Sequence, residues 1–438
     1  MPEPEPPEAP TAASRRPAWL APVVLAAAGM SVASGFAQFS ATATLGDVAA
    51  AFGADLSDGS SVAAQTGLAG TTLGLGLALI RLASLGSLPL AELADRHGRR
   101  GVLLGVTTAG LAISALAALA PSFWFLVAIL ALSRPLLSAT NAVSGVVAAE
   151  ETDSRDRAKA VGLIAAAYGL GAGLTALVRG AGDFHFRTVF ALAVVPLVLM
   201  PLLARPLRET GRYAGLRRML AQEPRARLRL RLGRVPPALR GRLLLLAGLS
   251  VGIAFVTGPV NGLLFVYAER IVHLSPSTTG VVVLIAGPIG LAGLLAGRWA
   301  ADRVGRRPSA AVAHAALAAA GIVTYRGGGP AAIGGYLLTV FAGGALSPAV
   351  GSLAAELFPT SSRATAAGWL TVSGVLGAVS GLVCFGALAD RTGFAAAAMA
   401  ICLPVALASP LWFRLPETRG MELEQSAPEP QPEPDPAS

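Results

Sequence analysis

The chain is built from apolar blocks about twenty residues long, and this spacing limits its possible folds more than any motif does. Twelve blocks can be marked: 18–42, 63–90, 101–120, 123–148, 160–179, 188–204, 243–267, 277–297, 309–325, 331–354, 365–387 and 394–413. At 1.5 Å of rise per residue, roughly 20 helical residues cross a hydrocarbon core of about 30 Å. The pattern therefore predicts an all-α membrane protein with twelve transmembrane helices. With 54% hydrophobic and only 13% charged residues, a soluble globule of 438 residues would lack the polar surface to clothe itself.

Charge placement sets the expected topology. Only Arg179, Arg187, Arg270, Arg326 and Arg391 fall on one side of the blocks, while Arg81 and Arg134 lie inside them. The other 27 of the 34 basic residues fall on the side that carries both termini. Basic loops stay in the cytoplasm, so both termini are expected there, in a multi-pass protein of the cell membrane. The net charge of +9 does not indicate a nucleic-acid partner, because the arginines sit between apolar blocks and not on one face with stacking aromatics. The segment 205–242 holds twelve arginines against Glu209 and Glu223 and reads as a cytoplasmic linker along the inner leaflet. Residues 1–17 and 414–438 read as polar tails, Pro/Glu-rich at their ends. Cys384 and Cys402 both sit in apolar blocks, and the four histidines have no ligand spacing. No metal site or cofactor is expected.

The chain also repeats itself. ELADRHGRR at 92–100 returns as RWAADRVGRR at 298–307, with Asp95 and Asp302 separated by 207 residues. GVVAAEETDSRDRAKAVG at 145–162 returns as GSLAAELFPTSSRATAAG at 351–368, and RPLRETGR at 205–212 as RLPETRG at 414–420. Three pairs in the same order at nearly constant offset imply two parallel six-helix halves, 18–204 and 243–413. Gly98 and Gly305 give the backbone a reversal that a Cβ would obstruct. Asp95 and Asp302, at the ends of spans, can pair with arginines or with the positive end of another helix.

These motifs resemble those of the major facilitator superfamily. LAELADRHGRR carries the family's signature with Ala91 where a glycine is usual, RWAADRVGRR is a second copy, and GALADRTG at 386–393 is a partial third. ELFPTSSR and LPETRG resemble the metabolite-symporter or sugar-porter branch. The resemblance covers about residues 18–425 and implies two pseudo-symmetric six-helix bundles that rock about a central site. It also implies a conformational latch on the cytoplasmic side. In the first half its members would be Asp95, Arg96, Gly98, Arg99, Arg100, Glu150 and Arg157. In the second they would be Asp302, Arg303, Gly305, Arg306, Glu356 and Arg363. Two departures bear on cargo. Span five has Gly171–Ala172 where the family's antiporters carry Gly-Pro, and FVTGPVNG at 255–262 replaces the glutamine-rich segment of sugar porters.

Polar residues within the blocks are the substrate candidates. Arg81 lies fourteen residues before Asp95 and Arg134 sixteen before Glu150, which puts both roughly 20–25 Å from the charged turns. Arginine is costly at that depth and faces a cavity or a partner. No carboxylate of the sequence shares the depth, so an anionic substrate is the expected partner. Arg134 also resembles the span-four arginine of drug antiporters and sugar porters. Asn141 and Ser138 share its helical face. Gln38, Tyr168, Asn261 and Tyr336 complete the set of binding candidates. Asp47, just past span one, is the candidate for proton coupling. No paired catalytic groups or ATP-binding loop is found, so an enzyme is not expected. The reading is a monomeric secondary active transporter of a small solute, an anionic or polar metabolite or a drug-like compound. The alternative is a non-transporting sensor on the same scaffold.

Overall fold

The computed structural model describes residues 17–53, 61–153, 156–182, 184–210 and 236–421. The expected tails beyond these bounds and the middle of the linker, 211–235, lie outside the described residues. Among the described residues there are helices and no strands. Ten spans are separate: α1 Pro22–Ala43, α2 Gly70–His97, α3 Arg99–Leu119, α4 Phe123–Glu150, α5 Arg157–Gly180, α6 Phe186–Ala204, α7 Pro237–Ile271, α8 Pro276–Arg303, α9 Arg306–Arg326 and α10 Gly329–Glu356. The last two run together as Thr360–Leu407, broken at Gly393; they are termed α11 (360–392) and α12 (394–407).

The charged motifs are shorter as turns than the sequence suggests. Residues 92–97 are the last turns of α2, and the reversal to α3 is confined to Gly98, at φ 106°. Gly305 does the same between α8 and α9 at φ 126°, and Gly393 between α11 and α12 at φ 80°. All three belong to the DRxG copies, and each takes a backbone region in which a Cβ is strained. Two other starts carry serine caps: Ser122 Oγ accepts from the Phe125 amide at 3.3 Å, and Ser275 Oγ from that of Thr278 at 3.2 Å.

Within lipid there is no hydrophobic force between helices, so close approach depends on small residues. A Cβ on Gly293 or Gly297 would come within 2.1 and 2.0 Å of the α10 carbonyls of Phe341 and Ala345. These two glycines therefore fix the α8–α10 contact. Inside the first bundle α1 packs on α5 and α4; inside the second α7 packs on α11, and α9 and α8 on α10. The bundles meet along two seams, α2 with α11 and α5 with α8.

Those seams are asymmetric across the membrane. The hydrogen bonds and ion pairs seen between described residues of the two bundles all lie on the face opposite the first two motifs. The Asp390 carboxylate at the end of α11 accepts from the amides of Gly70 (2.6 Å) and Thr71 (2.8 Å), which begin α2. Arg179, ending α5, reaches Glu269, ending α7. The molecule is closed on this opposite face.

Candidate functional site

Below the closed face, between the bundles, lies a cavity of about 350 Å³, the size of a small-ligand site. Residues of α1, α2, α4, α5, α7 and α11 line it, among them Gln38, Thr42, Arg81, Arg134, Tyr168, Thr257 and Asn261. Five of the seven binding candidates thus converge. Arg81 and Asn261 are exposed and Arg134 is half-buried. With the opposite face sealed, that exposure runs toward the motif face.

Local backbone features aim these groups. Pro135 follows Arg134 inside α4 and cannot donate to the carbonyl four residues earlier, which interrupts the helical ladder beside the cavity. Pro259 does the same in α7, two residues before Asn261. Gly35 of α1 approaches the Tyr168 carbonyl so closely that a Cβ would lie 2.1 Å from its oxygen. This approach brings Tyr168 to the cavity edge. Neither the Arg81 nor the Arg134 guanidinium makes an ion pair among the described residues, and Arg134 Nε is buried without a hydrogen-bond partner. Two cations thus line the cavity with no protein anion beside them among the described residues, an arrangement that is costly at this depth.

Two candidates lie elsewhere. Asn141 donates to Ser34 Oγ (3.1 Å) and the Leu137 carbonyl (3.3 Å) between α1 and α4, and is absent from the lining. Ser34 also takes Gln38 Nε2 at 2.8 Å, so Gln38 is held from behind while it lines the cavity. Tyr336 is buried in the core of the second bundle, 6% exposed. It is absent from the cavity lining, and its neighbour Gly335 packs against Thr324 of α9. Asp47 is also outside the lining; it accepts from Arg179 and Arg270 on the opposite face.

On the motif face the repeat becomes a repeated structure. Arg99 reaches back to the Ala94 carbonyl (3.2 Å), Asp95 (3.0 Å) and Glu150 (3.1 Å). Arg306 does the same with the Ala301 carbonyl (2.8 Å), Asp302 (2.9 Å) and Glu356 (3.4 Å). Glu209 accepts from the Arg99 amide at 2.8 Å, capping α3. Glu417 accepts from the Arg306 and Arg307 amides at 2.9 and 3.1 Å, capping α9. Thr210 and Thr418 donate to Glu150 and Glu356. These caps place carboxylates at helix N-termini, where the backbone dipole favours them. Each cluster closes within its own bundle.

The remaining motif residues are peripheral to these clusters. Arg96 pairs with Glu92 on the surface, Arg303 stacks over Trp299 at 5.5 Å, and Arg100 is exposed. Arg157 donates to the Ala149 carbonyl at 3.2 Å, and the Nε of Arg363 has no partner. Sequence reasoning missed Glu209, Thr210, Glu417 and Thr418. Their signal is the third repeat pair, RETGR and PETRG, which by itself speaks only of duplication.

Two helical bundles around a polar cavity, sealed on one face and open toward the other, define a transporter that moves a small solute by alternating access. The sequence model of the Major Facilitator Superfamily matches residues 25–340 and 288–435, and the chain belongs to that family. It is 27% identical over 369 residues to a probable 4-methylmuconolactone transporter of Cupriavidus pinatubonensis, covering 80% of this chain and 82% of the relative. Among solved structures it resembles the inward-open xylose transporter from E. coli (TM-score 0.71, 18% identity, 92% of this chain and 98% of the other). It also resembles a bacterial homologue of the lysosomal transporter Spinster, inward-facing and occupied (TM-score 0.69, 14% identity, 90% and 96%). A nucleoside transporter matches as well (TM-score 0.68, 12% identity, 89% and 100%). The protein is a secondary transporter and not an enzyme, and these likenesses favour transport over a sensor.

Proposed function

We propose that the transported solute is a small organic anion, held in the central cavity by Arg81 and Arg134 with Gln38, Tyr168 and Asn261 around it. The observation that carries this reading is the pair of membrane-depth arginines lining one cavity with no carboxylate beside them. A planar guanidinium fork suits a carboxylate or similar oxyanion. A compact solute such as the one named for the 27%-identical relative is of a size that about 350 Å³ admits. The arginine count supports a cytoplasmic motif face and cytoplasmic termini in a cell-membrane protein, and on that orientation the conformation described is inward-facing. The bundles 18–204 and 243–413 act as the moving bodies, tethered by 205–242, in a monomer. The motif clusters, each closed within its own bundle in this conformation, serve as the cytoplasmic latch by meeting across the bundles when that face shuts, and trapping conformers of Asp95→Asn by cross-linking tests it: an unchanged inward-to-outward ratio excludes that role.

Thermal shift of the purified protein across a panel of small carboxylates, neutral polar solutes and cations tests the cargo. Anions should raise the melting temperature of the wild type and not of Arg134→Ala, since ligands stabilise only the state they bind. Equal stabilisation of both proteins by neutral or cationic solutes would refute the anion reading.

A further inference from the structure

The charge cluster on the opposite face is built on a different plan from those at the motifs. Asp47 lies on the short helix Leu45–Phe52 that follows α1, and Arg179 ends α5. Glu269 and Arg270 lie in a π-helical turn, Tyr267–Ile271, that ends α7. The Arg179 side chain is 3% exposed and that of Glu269 6%. Arg179 forks onto both Glu269 oxygens, with Nη2 at 2.5 Å, and onto Asp47 Oδ2 through Nε and Nη2 at 3.0 and 2.9 Å. Thr279 of α8 donates to Glu269 Oε1 at 2.6 Å, and Arg270 reaches Asp47 Oδ1 at 3.3 Å. A surface cavity of about 420 Å³, lined partly by Asp47, Arg179, His185 and Arg270, brings solvent to its rim.

Each bundle contributes one cation and one anion. Four cation–anion pairings are possible, and three are made. Arg179–Glu269 and Arg270–Asp47 cross between bundles, and Arg179–Asp47 stays within the first. The fourth, Arg270–Glu269 within the second bundle, is not made. Neighbouring residues on a regular helix diverge by about 100°, so that pair can close only where the helix ends, and α7 ends at this point in a π turn. Such turns recur at functional sites.

We propose that this cluster is a partner-exchange clasp for the face opposite the motifs. Closed, it makes the two cross-bundle pairs. As the bundles part, Arg179 keeps Asp47 and Glu269 takes Arg270, leaving each bundle with a neutral pair. Parting without exchange would strand a buried Glu269 carboxylate, which is costly. The exchange gives the gate two discrete satisfied arrangements, the property a bistable element requires. Glu269 gives up a buried, two-pronged pair on opening and so favours the closed gate, whereas Arg270 gives up only a long, part-exposed contact with Asp47 and gains Glu269, and so favours the open one.

Spin labels on Phe184→Cys and Ser277→Cys, across the α5–α8 seam, test this in the full-length protein. Cys384→Ser and Cys402→Ala provide the background, and the distances are read by pulsed electron resonance in nanodiscs. No solute is added, so the readout is independent of what the cavity binds. Glu269→Gln should raise the long-distance, open fraction roughly fivefold, and Arg270→Gln should lower it by a comparable factor. The opposite signs are diagnostic. If both variants open the gate, the cluster is a plain latch and the exchange is wrong. If neither moves the distribution, the cluster is not a gate element at all.

Discussion

The two faces of the molecule hold their charges in opposite ways. On the motif face the clusters occur twice, once per bundle, and every described ion pair stays inside its bundle. On the opposite face a single cluster is shared by both bundles and has no duplicate among the described residues. In a two-body machine, contacts within a body must survive the cycle and contacts between bodies must break. Duplicated interactions therefore stiffen each bundle, and the unduplicated one marks where the bundles come apart. The sequence repeat followed the stiffening elements and passed over the moving one.

The largest test of that division is Arg99→Ala or Arg306→Ala. Each leaves Glu150 or Glu356 half-buried without its cation, which should cost about 3 kcal/mol of bundle stability, read as a fall in melting temperature. The label distance across Phe184 and Ser277 should stay unchanged in the closed state. A shift there comparable to that of Glu269→Gln would break the distinction between the faces.

Smaller effects sharpen it. Gly305→Ala should cost about 1–2 kcal/mol, because φ 126° is strained for any Cβ and that Cβ would stand 2.8 Å from Glu417 Oε2. Gly101→Ala lies in the first turn of α3, just past the reversal at Gly98, and its added Cβ would meet nothing within 4 Å. That change should be neutral or slightly stabilising. Equal costs at the two sites would mean that the turn geometry is not what the motif glycine protects.

The smallest effect is one of pH. Partial burial alone would raise the Glu417 carboxyl above its ordinary value of 4.5, but hydrogen bonds from the amides of Arg306, Arg307, Arg419 and Thr418 outweigh it and hold it lower. A depressed carboxylate stabilises fully above its ordinary value and loses that contribution as pH falls through the lower folded one. Glu417→Gln should therefore cost about 1 kcal/mol at neutral pH and converge with the wild type in acid. Parallel melting curves across the acid range would show that the cap's charge contributes nothing.

Much of the fold was legible because lipid makes strict demands: block length, arginine sidedness and the glycine at each reversal all follow from one-dimensional rules. Arg81 and Arg134 were legible for the same reason, since a cation in an apolar block must have a purpose. Tyr336 and Asn141 were not, because a tyrosine or asparagine is cheap enough in a bundle to serve as packing or as a helix-to-helix hydrogen bond. Glu209 and Glu417 cap helices 110 and 111 residues away in sequence, a relation visible only once the helices are placed. The Asp47–Arg179–Glu269–Arg270 cluster draws on the ends of separate blocks, and nothing in its spacing hinted that these ends meet.

The caps also set an order of assembly. The first bundle can complete its cluster once Glu209 has left the ribosome, when little of the second bundle has been made. The second needs Glu417, which follows α12, so the ninth helix stays uncapped until all the spans after it have been synthesised. During that interval the finished half is a stable template in the membrane and the other half is not. A fusion or truncation placed directly after α12 would extend that interval indefinitely, leaving α9 uncapped although every membrane span is intact.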